Sequence, residues 1–401
     1  MYNAIICRYH EIAIKGGNRS MFEKRMVENM YYLLRKVHDI RISRVRGRIW
    51  IERKDKELFT DEQLATIREQ LQRAFGLESF SPVIMCEPTM DAMKKAVDTS
   101  CRSYFAKAFE AKPVVSFRIR AKRSNKNFEL DSKGIEIELA REVGKEYDYD
   151  SLTINLEEAD VTVWCELRCE FAFIYYDVIR GPGGLPVGSN SPVLALLSGG
   201  IDSPAACYEI MKRGCRCDFI TFHSSPYTPQ ATVDKVRRIA HHLNLFQPPA
   251  RLFICNLAPL QKLIRDKCNP RFRTVLYRRM MFRIARSVAV KHKRQALLTG
   301  ESVGQVASQT IKNMATIDAA VDMLVLRPLV GADKNDAIAL ARRIGTFDMS
   351  SEQVPDSCTV FAPSNPATAV VLSKILEDEA KIPEYPDMLK EIVESIEMIT
   401  P

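Results

Sequence analysis

Apolar and polar positions change period along this chain, and each change marks an element. An alternating run over 4–8 reads as a strand and a 3.6-period stretch over 21–37 as a helix. Alternating runs over 40–45 and 48–51 read as a hairpin turning at Arg46-Gly47, and a second helical stretch covers 61–75. Asn18 and Ser20 offer caps for the first helix, and Asp61 falls in the opening turn of the second. Residues 1–76 are therefore expected to form a small α+β domain of ferredoxin-like type.

From 77 to 178 the pattern returns with other lengths: strands over 80–86, 114–119, 160–167 and 171–176, helices over 90–107 and 132–147, the latter capped by Asp131 or Ser132. Between 179 and 190 lies Arg180-Gly-Pro-Gly-Gly-Leu-Pro-Val-Gly188, whose four glycines and two prolines continue neither strand nor helix, so it reads as a linker. From 191 to 401, apolar runs at 194–197, 218–223, 252–256 and 296–299 alternate with helical stretches near 205–213, 231–243, 257–267 and 274–292. That alternation predicts an α/β domain, a parallel sheet with helices on both faces and ligands at the carboxyl ends of its strands. The tail from 369 reads as one or two surface helices.

The first strand of that domain runs into Leu196-Leu197-Ser198-Gly199-Gly200-Ile201-Asp202-Ser203-Pro204. Two glycines let the backbone turn sharply, while the hydroxyls of Ser198 and Ser203 and the amides opening the next helix offer donors to an anion. Strand, glycine turn and helix make a phosphate cradle, the bland alternative being an ordinary turn. Ser203 reads as the N-cap with Pro204 in the first helical position, and Gly214 as the stop. A kinase-type P-loop would carry Lys-Ser/Thr after its glycines; here Asp202 stands instead, a carboxylate suited to a bridging Mg²⁺. A second glycine loop, 299–310, follows the last predicted strand and is expected to face the same cleft.

Composition narrows the partners. The 401 residues carry a net charge of +8, and thirteen Lys/Arg against one acid, Asp266, fall between 251 and 300. A second basic cluster, Arg118, Arg120, Lys122, Arg123 and Lys126, contains no acid; at a strand end and in the loop after it, its side chains are expected to project together along a phosphate backbone. Eleven cysteines without a C-x-x-C pair fit reduced thiols. With no run of about 18 apolar residues and no signal peptide, a cytoplasmic protein with no membrane partner is expected.

The nine-residue loop resembles the SGGxDS loop of the PP-loop ATP pyrophosphatases, which split ATP into AMP and pyrophosphate. Taken with MKRGCR, YRRMMFRIA, TGESVGQVASQT, LRPLVGADK and PDSC, in that order after the GPGGLPVG linker, the chain closely resembles the tRNA 4-thiouridine synthetase family, ThiI. The resemblance covers essentially the whole chain. It implies a ferredoxin-like domain over 1–76, a tRNA-binding THUMP domain over 77–178, the linker, and a PP-loop domain over 191–401. It implies ATP and Mg²⁺ as cofactors, and replacement by sulfur of the 4-oxygen of the uridine at position eight of tRNA.

Carried over by motif, Leu196, Leu197, Thr221 and Phe222 would enclose adenine and ribose through backbone contacts. Ser198, Gly199, Gly200, Asp202 and Ser203 would hold the phosphates and metal, and Arg278, Gly300 and Gln309 would complete the pocket. Arg278 has an alternative as a phosphate-facing arginine for RNA. Lys334 would support the chemical step, its bland alternative being a solvated lysine before a helix. Cys358 would carry the transferable sulfur as a persulfide.

Many members of the family carry a further rhodanese domain with its own persulfide cysteine, and this chain stops at Pro401 without one. Sulfur would then reach Cys358 directly from a cysteine desulfurase or through a separate carrier protein, with Cys215 the nearest, weak candidate for a resolving thiol. An iron–sulfur cluster normally needs a C-x-x-C pair and a third cysteine, and only Cys215 and Cys217 are close. Sulfur delivery to a carrier for thiamine biosynthesis and a tRNA-binding protein without catalysis stay open as alternatives, as does a homodimer.

Overall fold

The alternation along 1–86 folds as β1 (Ala4–Arg8), α1 (Arg19–Leu33), β2 (Ile40–Val45), β3 (Arg48–Arg53), α2 (Asp61–Leu71) and β4 (Ser79–Cys86) in the computed structural model, which describes residues 1–45, 47–148, 150–355 and 360–401. The strands lie in the order β2-β3-β1-β4, each neighbouring pair antiparallel, the arrangement of a ferredoxin-like unit. Thr60 closes the start of α2 with a capping box: its hydroxyl accepts from Gln63 N at 3.2 Å and Gln63 Oε1 accepts from Thr60 N at 3.0 Å. The cap expected of Asn18 or Ser20 is not made. A short 3₁₀ turn over Gly16–Asn18 feeds directly into α1, and Asn18 already has near-helical backbone angles, from which its side chain makes no capping bond.

The chain continues through α3 (Met90–Phe109), β5 (Val115–Arg123), α4 (Ser132–Gly144), β6 (Leu152–Ile154), β7 (Val161–Leu167), β8 (Ala172–Tyr175) and β9 (Ile179–Arg180). Asp131 caps α4 through Gly134 N at 2.7 Å. Strand β4 serves both halves: its first residues pair with β1, and Ile84 to Cys86 pair with β8. One nine-stranded sheet results, and it bends sharply. The Trp50 ring on β3 meets Phe173 on β8 edge-on at 5.2 Å although β1 and β4 intervene, whereas three flat strand spacings would separate them by about 14 Å. Ala4, Ile6, Trp50, Val83, Phe173 and Tyr175 form the core inside that bend. On the other face α3 and α4 cover β5 and β7 through Met93, Val97, Phe105, Ile135 and Leu139. These elements make one compact unit, Met1–Gly183.

The second unit, Gly184–Pro401, runs β10 (Val193–Leu196), α5 (Asp202–Lys212), β11 (Cys217–His223), α6 (Gln230–Leu243), β12 (Leu252–Asn256), α7 (Ala258–Lys267), α8 (Arg273–Lys291) and β13 (Ala296–Leu298). It ends with α9 (Ile311–Asp318), β14 (Leu324–Leu326), α10 (Lys334–Ile344), α11 (Phe347–Ser351), α12 (Leu372–Glu379), α13 (Tyr385–Glu394) and β15 (Glu397–Ile399). The sheet order is β14-β13-β10-β11-β12-β15, parallel except for β15. The expected four parallel strands are present, with β14 added at one edge.

The tail is more than surface helices. Strand β15 covers the edge of β12, and Ile375, Ile382 and Ile392 enter the core beside α8. One tie is Arg279, the largest fully buried side chain, 1 % exposed; its Nε donates to Glu379 Oε1 on α12 at 2.8 Å, and Arg283 adds a bidentate pair at 2.8 Å. A buried guanidinium demands such a partner, so the tail is tied to the basic helix.

Candidate nucleotide site

The turn between β10 and α5 is closed by its own hydroxyls. Ser203 Oγ accepts from Ser198 N at 3.0 Å and lies 3.1 Å from Ser198 Oγ, which in turn accepts from Gly200 N at 3.3 Å. Ser203 is therefore not the N-cap. Helix α5 begins two residues earlier than expected, at Asp202, with Ile201 at the cap position and no side-chain cap, because the Ser203 hydroxyl is committed to folding the loop back on itself. Gly214 ends the helix as expected, at φ +85°. Gly300, at the end of β13, packs against the opening of α5 so closely that a Cβ would sit 2.6 Å from Asp202 C and Ser203 N. Only glycine lets the two loops meet there.

Across the mouth of the loop, Lys334 Nζ donates to both Asp202 oxygens, at 2.8 and 2.9 Å, and Gln305 Nε2 donates to Oδ2 at 3.0 Å. Lys334 is the first residue of α10, fixed by a capping box between Asp333 and Asp336. The glycine loop holding Gln305 is tied to the segment before α10 by Val303 N to Val330 O at 3.0 Å and Ser302 Oγ to Ala332 O at 3.0 Å.

A cavity of about 530 Å³ opens behind the loop, lined by residues 198–203 together with Leu196, Leu197, Thr221, Phe222, Arg278, Gly300 and Gln309. Gln309 Oε1 is buried there with no hydrogen-bond partner among the described residues, an acceptor that a ligand amino group would satisfy. Arg278 does not face open solvent: its guanidinium pairs with Glu301, 2 % exposed, which also accepts from Arg327 Nε at 2.7 Å and Thr299 Oγ1 at 2.9 Å. Burial pushes the Glu301 carboxyl up, but the two arginines and the hydrogen bonds prevail and hold it below its ordinary range. The far wall is formed by residues 350–355 and by Lys235 of α6.

Glu301, Gln305 and Lys235 escaped the sequence reading. Glu301 and Gln305 lie inside the TGESVGQ run, and Lys235 had a signal of its own: a lysine four residues before Ile239 on the stripe that α6 buries with Val236 and Leu243. Cys358 lies outside the described residues. Pro355, three positions before it, is held by Thr232 Oγ1, which donates to its carbonyl at 2.9 Å. Cys215, buried, sits past the far end of α5, beside the amino end of the sheet where Cys217 pairs with Val193; α5 alone is about 16 Å long.

In the first unit the basic cluster divides. Arg118, Arg120 and Lys122 alternate onto one face of β5 and Arg123 onto the other. Arg118 donates to Thr162 Oγ1 at 3.0 Å and to the Leu156 and Glu157 carbonyls, Arg120 to the Leu156 carbonyl, and Arg123 to the carbonyls of Phe128 and Leu130 at 3.1 and 3.0 Å. Lys122 and Lys126 are exposed. The arginines thus pin loops, while the lysines face solvent.

Comparison with known proteins accounts for the whole chain. Residues 4–81 match the ThiI ferredoxin-like domain, 87–177 the THUMP domain, and 188–383 the family described as thiamine biosynthesis protein (ThiI). A probable tRNA sulfurtransferase of Moorella thermoacetica is 38% identical over 400 residues, covering 100% of this chain and 98% of the relative. This chain belongs to the ThiI family. A second relative, the probable tRNA sulfurtransferase of Thermoanaerobacter pseudethanolicus, is 36% identical with 99% of each chain covered. The crystal structure of a 4-thiouridine synthetase–RNA complex with bound ATP superposes with a TM-score of 0.89 at 32% identity, over 100% of this chain and 99% of that one. The ThiI match over 188–383 contains the phosphate loop, Lys334 and Cys358.

Proposed function

We propose that the chain is an ATP-dependent tRNA sulfurtransferase that adenylates the uridine at position eight and replaces its 4-oxygen with sulfur to give 4-thiouridine. The observation that carries the reading is the meeting, in one cavity, of the Ser198–Ser203 loop, the Gln309 acceptor, which has no partner among the described residues, and the wall of residues 350–355 that precedes Cys358 in the chain. Leu196, Leu197, Thr221 and Phe222 flank the adenine and ribose, Gln309 accepts from the adenine amino group, and Glu301 orients Arg278. The loop hydroxyls and amides take the phosphates.

Uridine O4 attacks the α-phosphorus, the bond to the β-phosphate breaks, and pyrophosphate leaves. Lys334 stabilises the charge that builds on the phosphoryl oxygens as its hold on Asp202 is exchanged for the nucleotide. Of the acids lining the cavity, Glu301 is shared by two arginines and Glu352 is paired with Arg238, while Asp202 is paired with Lys334 at the mouth of the phosphate loop, so Asp202 is the carboxylate that would accept a cation once Lys334 turns to the nucleotide. One carboxylate completed by substrate phosphates is how Mg²⁺ is commonly held, and the ion would supply charge neutralisation there. No cluster of three acidic, His or Cys ligands exists among the described residues.

The terminal sulfur of a Cys358 persulfide then attacks C4, and AMP carries away the original oxygen. The remaining S–S bond is cleaved by a second thiol, which leaves sulfur on the base and a disulfide on the protein for a reductant to open. A cysteine desulfurase, directly or through a carrier protein, recharges Cys358. The THUMP region binds the tRNA together with Lys262, Arg271 and Lys291, which stay exposed while arginines of α8 are held by Glu301, Glu379 and Asp322; a cytoplasmic site of action belongs to this reading, and no helix among the described residues is long and apolar enough to cross a membrane. The test is AMP formation in the presence and absence of unmodified tRNA: tRNA-dependent AMP supports the reading, and tRNA-independent hydrolysis at the same rate rejects it.

A further inference from the structure

Helix α6 holds one wall of the cavity at three points. Thr232 Oγ1 donates to Pro355 O at 2.9 Å, Lys235 Nζ donates to Ser350 O at 2.9 Å and Glu352 O at 2.8 Å, and the Arg238 guanidinium forms a bidentate pair with the Glu352 carboxylate, 2.7 Å at its Nη1. The three side chains recur every third residue and so share a face of the helix. They grip residues 350–355, the stretch that enters Cys358.

Lys235 differs from the other two. It is 5 % exposed, and a lysine is rarely that buried without a task for its charge. Its methylenes pass against the phosphate loop: a Cβ on Gly199 would lie 3.1 Å from Lys235 Cδ and 3.3 Å from Cε. One side chain therefore touches the loop that holds the nucleotide phosphates and bonds Ser350 and Glu352, which precede Cys358 in the chain.

We propose that Lys235 is a positioning residue for sulfur transfer, registering the Cys358 segment against the phosphate loop so that the persulfide meets the adenylated base before water does. The proposal rests on the sulfurtransferase reading above. Without that register, water attacks the adenylated uridine, which returns uridine and AMP, and ATP is consumed with no sulfur transferred.

Lys235→Met keeps atoms at the two stem positions that pack on Gly199 and removes the donors. Two quantities decide the matter: 4-thiouridine formed per AMP released, and the rate at which iodoacetamide alkylates Cys358 with and without ATP, read by peptide mass spectrometry. In the variant the ratio is expected to fall by about tenfold or more, as misplacing a reacting group does. Alkylation of Cys358 is expected to quicken and to lose its response to ATP. Arg238→Ala, which breaks an exposed pair and spares the core, is expected to move both quantities the same way by less. A wild-type ratio with wild-type alkylation in Lys235→Met, or in Arg238→Ala should the first variant not fold, overturns the proposal; so does an equal loss of AMP and 4-thiouridine with unchanged alkylation. If the wild-type protein itself makes no 4-thiouridine, the sulfurtransferase reading fails, while the alkylation comparison still decides whether Lys235 holds the segment.

Discussion

Lys334 and Asp202 stand 132 residues apart in the chain, yet Lys334 Nζ lies within 2.9 Å of both Asp202 oxygens. The lysine side chain is 44% exposed and the aspartate 22%, so the pair adds little to stability. Its value is positional: a cation and a carboxylate are held together where the phosphates arrive.

Asp202→Ala and Lys334→Ala are each expected to slow tRNA-dependent AMP formation by about 10²–10³-fold, while calorimetry finds the unfolding midpoint nearly unmoved. Because the two side chains act as one unit, the double variant loses little more than the worse single one. Additive losses would mean that the pair seen here has no part in catalysis.

Glu301→Gln removes the charge shared by Arg278 and Arg327 and leaves two guanidinium groups without it. A cost of about 3–5 kcal/mol in unfolding free energy is expected, with a raised KM for ATP as Arg278 loses its anchor. The pH dependence has a defined sign. Since the folded-state carboxyl is held below its ordinary value of 4.5, its contribution is complete above that value and disappears as pH falls through the lower folded one. Urea unfolding across that window is expected to be steeper in pH for the wild type than for Glu301→Gln.

In the first unit the lysines and arginines separate by experiment. Lys122→Ala with Lys126→Ala is expected to reduce the log–log salt slope of tRNA binding by about 1.4–1.8, that is 0.7–0.9 per phosphate contact, with the melting temperature unchanged. Arg118→Ala or Arg123→Ala is expected to lower the melting temperature as well, since each guanidinium holds loop carbonyls. Filter binding at several salt concentrations, beside thermal melts, tells the two apart.

With reductant present, Cys215→Ser is expected to sustain multiple turnovers at the wild-type rate, and without it to stop where the wild type stops. Burial pushes the Cys215 thiol up, away from the reactive thiolate, and it sits past the opposite end of α5 from the phosphate loop. A single-turnover limit appearing only in this variant would make Cys215 the resolving thiol.

Period and motif carried most of this structure. The strand–helix alternation gave the parallel sheet and the ferredoxin-like unit because each element buries one face, and burial is what period records. The phosphate loop was legible because its glycines and hydroxyls are needed at fixed spacing. Ser203 was misread because a serine before a helix caps it only when its hydroxyl is not already used, and Ser198 N uses it. Strand β15 stayed hidden because its partner, β12, is far away in the chain, and the buried role of α12 because Arg279 finds Glu379 100 residues away, pairings with no local pattern. The arginines of β5 looked like an RNA surface because charge is visible in sequence and its hydrogen-bond partners are not. Lys235 is the same lesson inverted, a charge that the sequence assigns to solvent and the fold brings inside.

Nucleoside mass analysis of unmodified tRNA, after incubation with ATP, Mg²⁺, cysteine, a cysteine desulfurase and the protein, decides whether sulfur reaches uridine eight through Cys358. The wild type is expected to produce 4-thiouridine at position eight with AMP, and Cys358→Ser to produce AMP without 4-thiouridine. Thiolation by Cys358→Ser at the wild-type rate, or AMP formation by the wild type with the uridine left unchanged, would contradict the account.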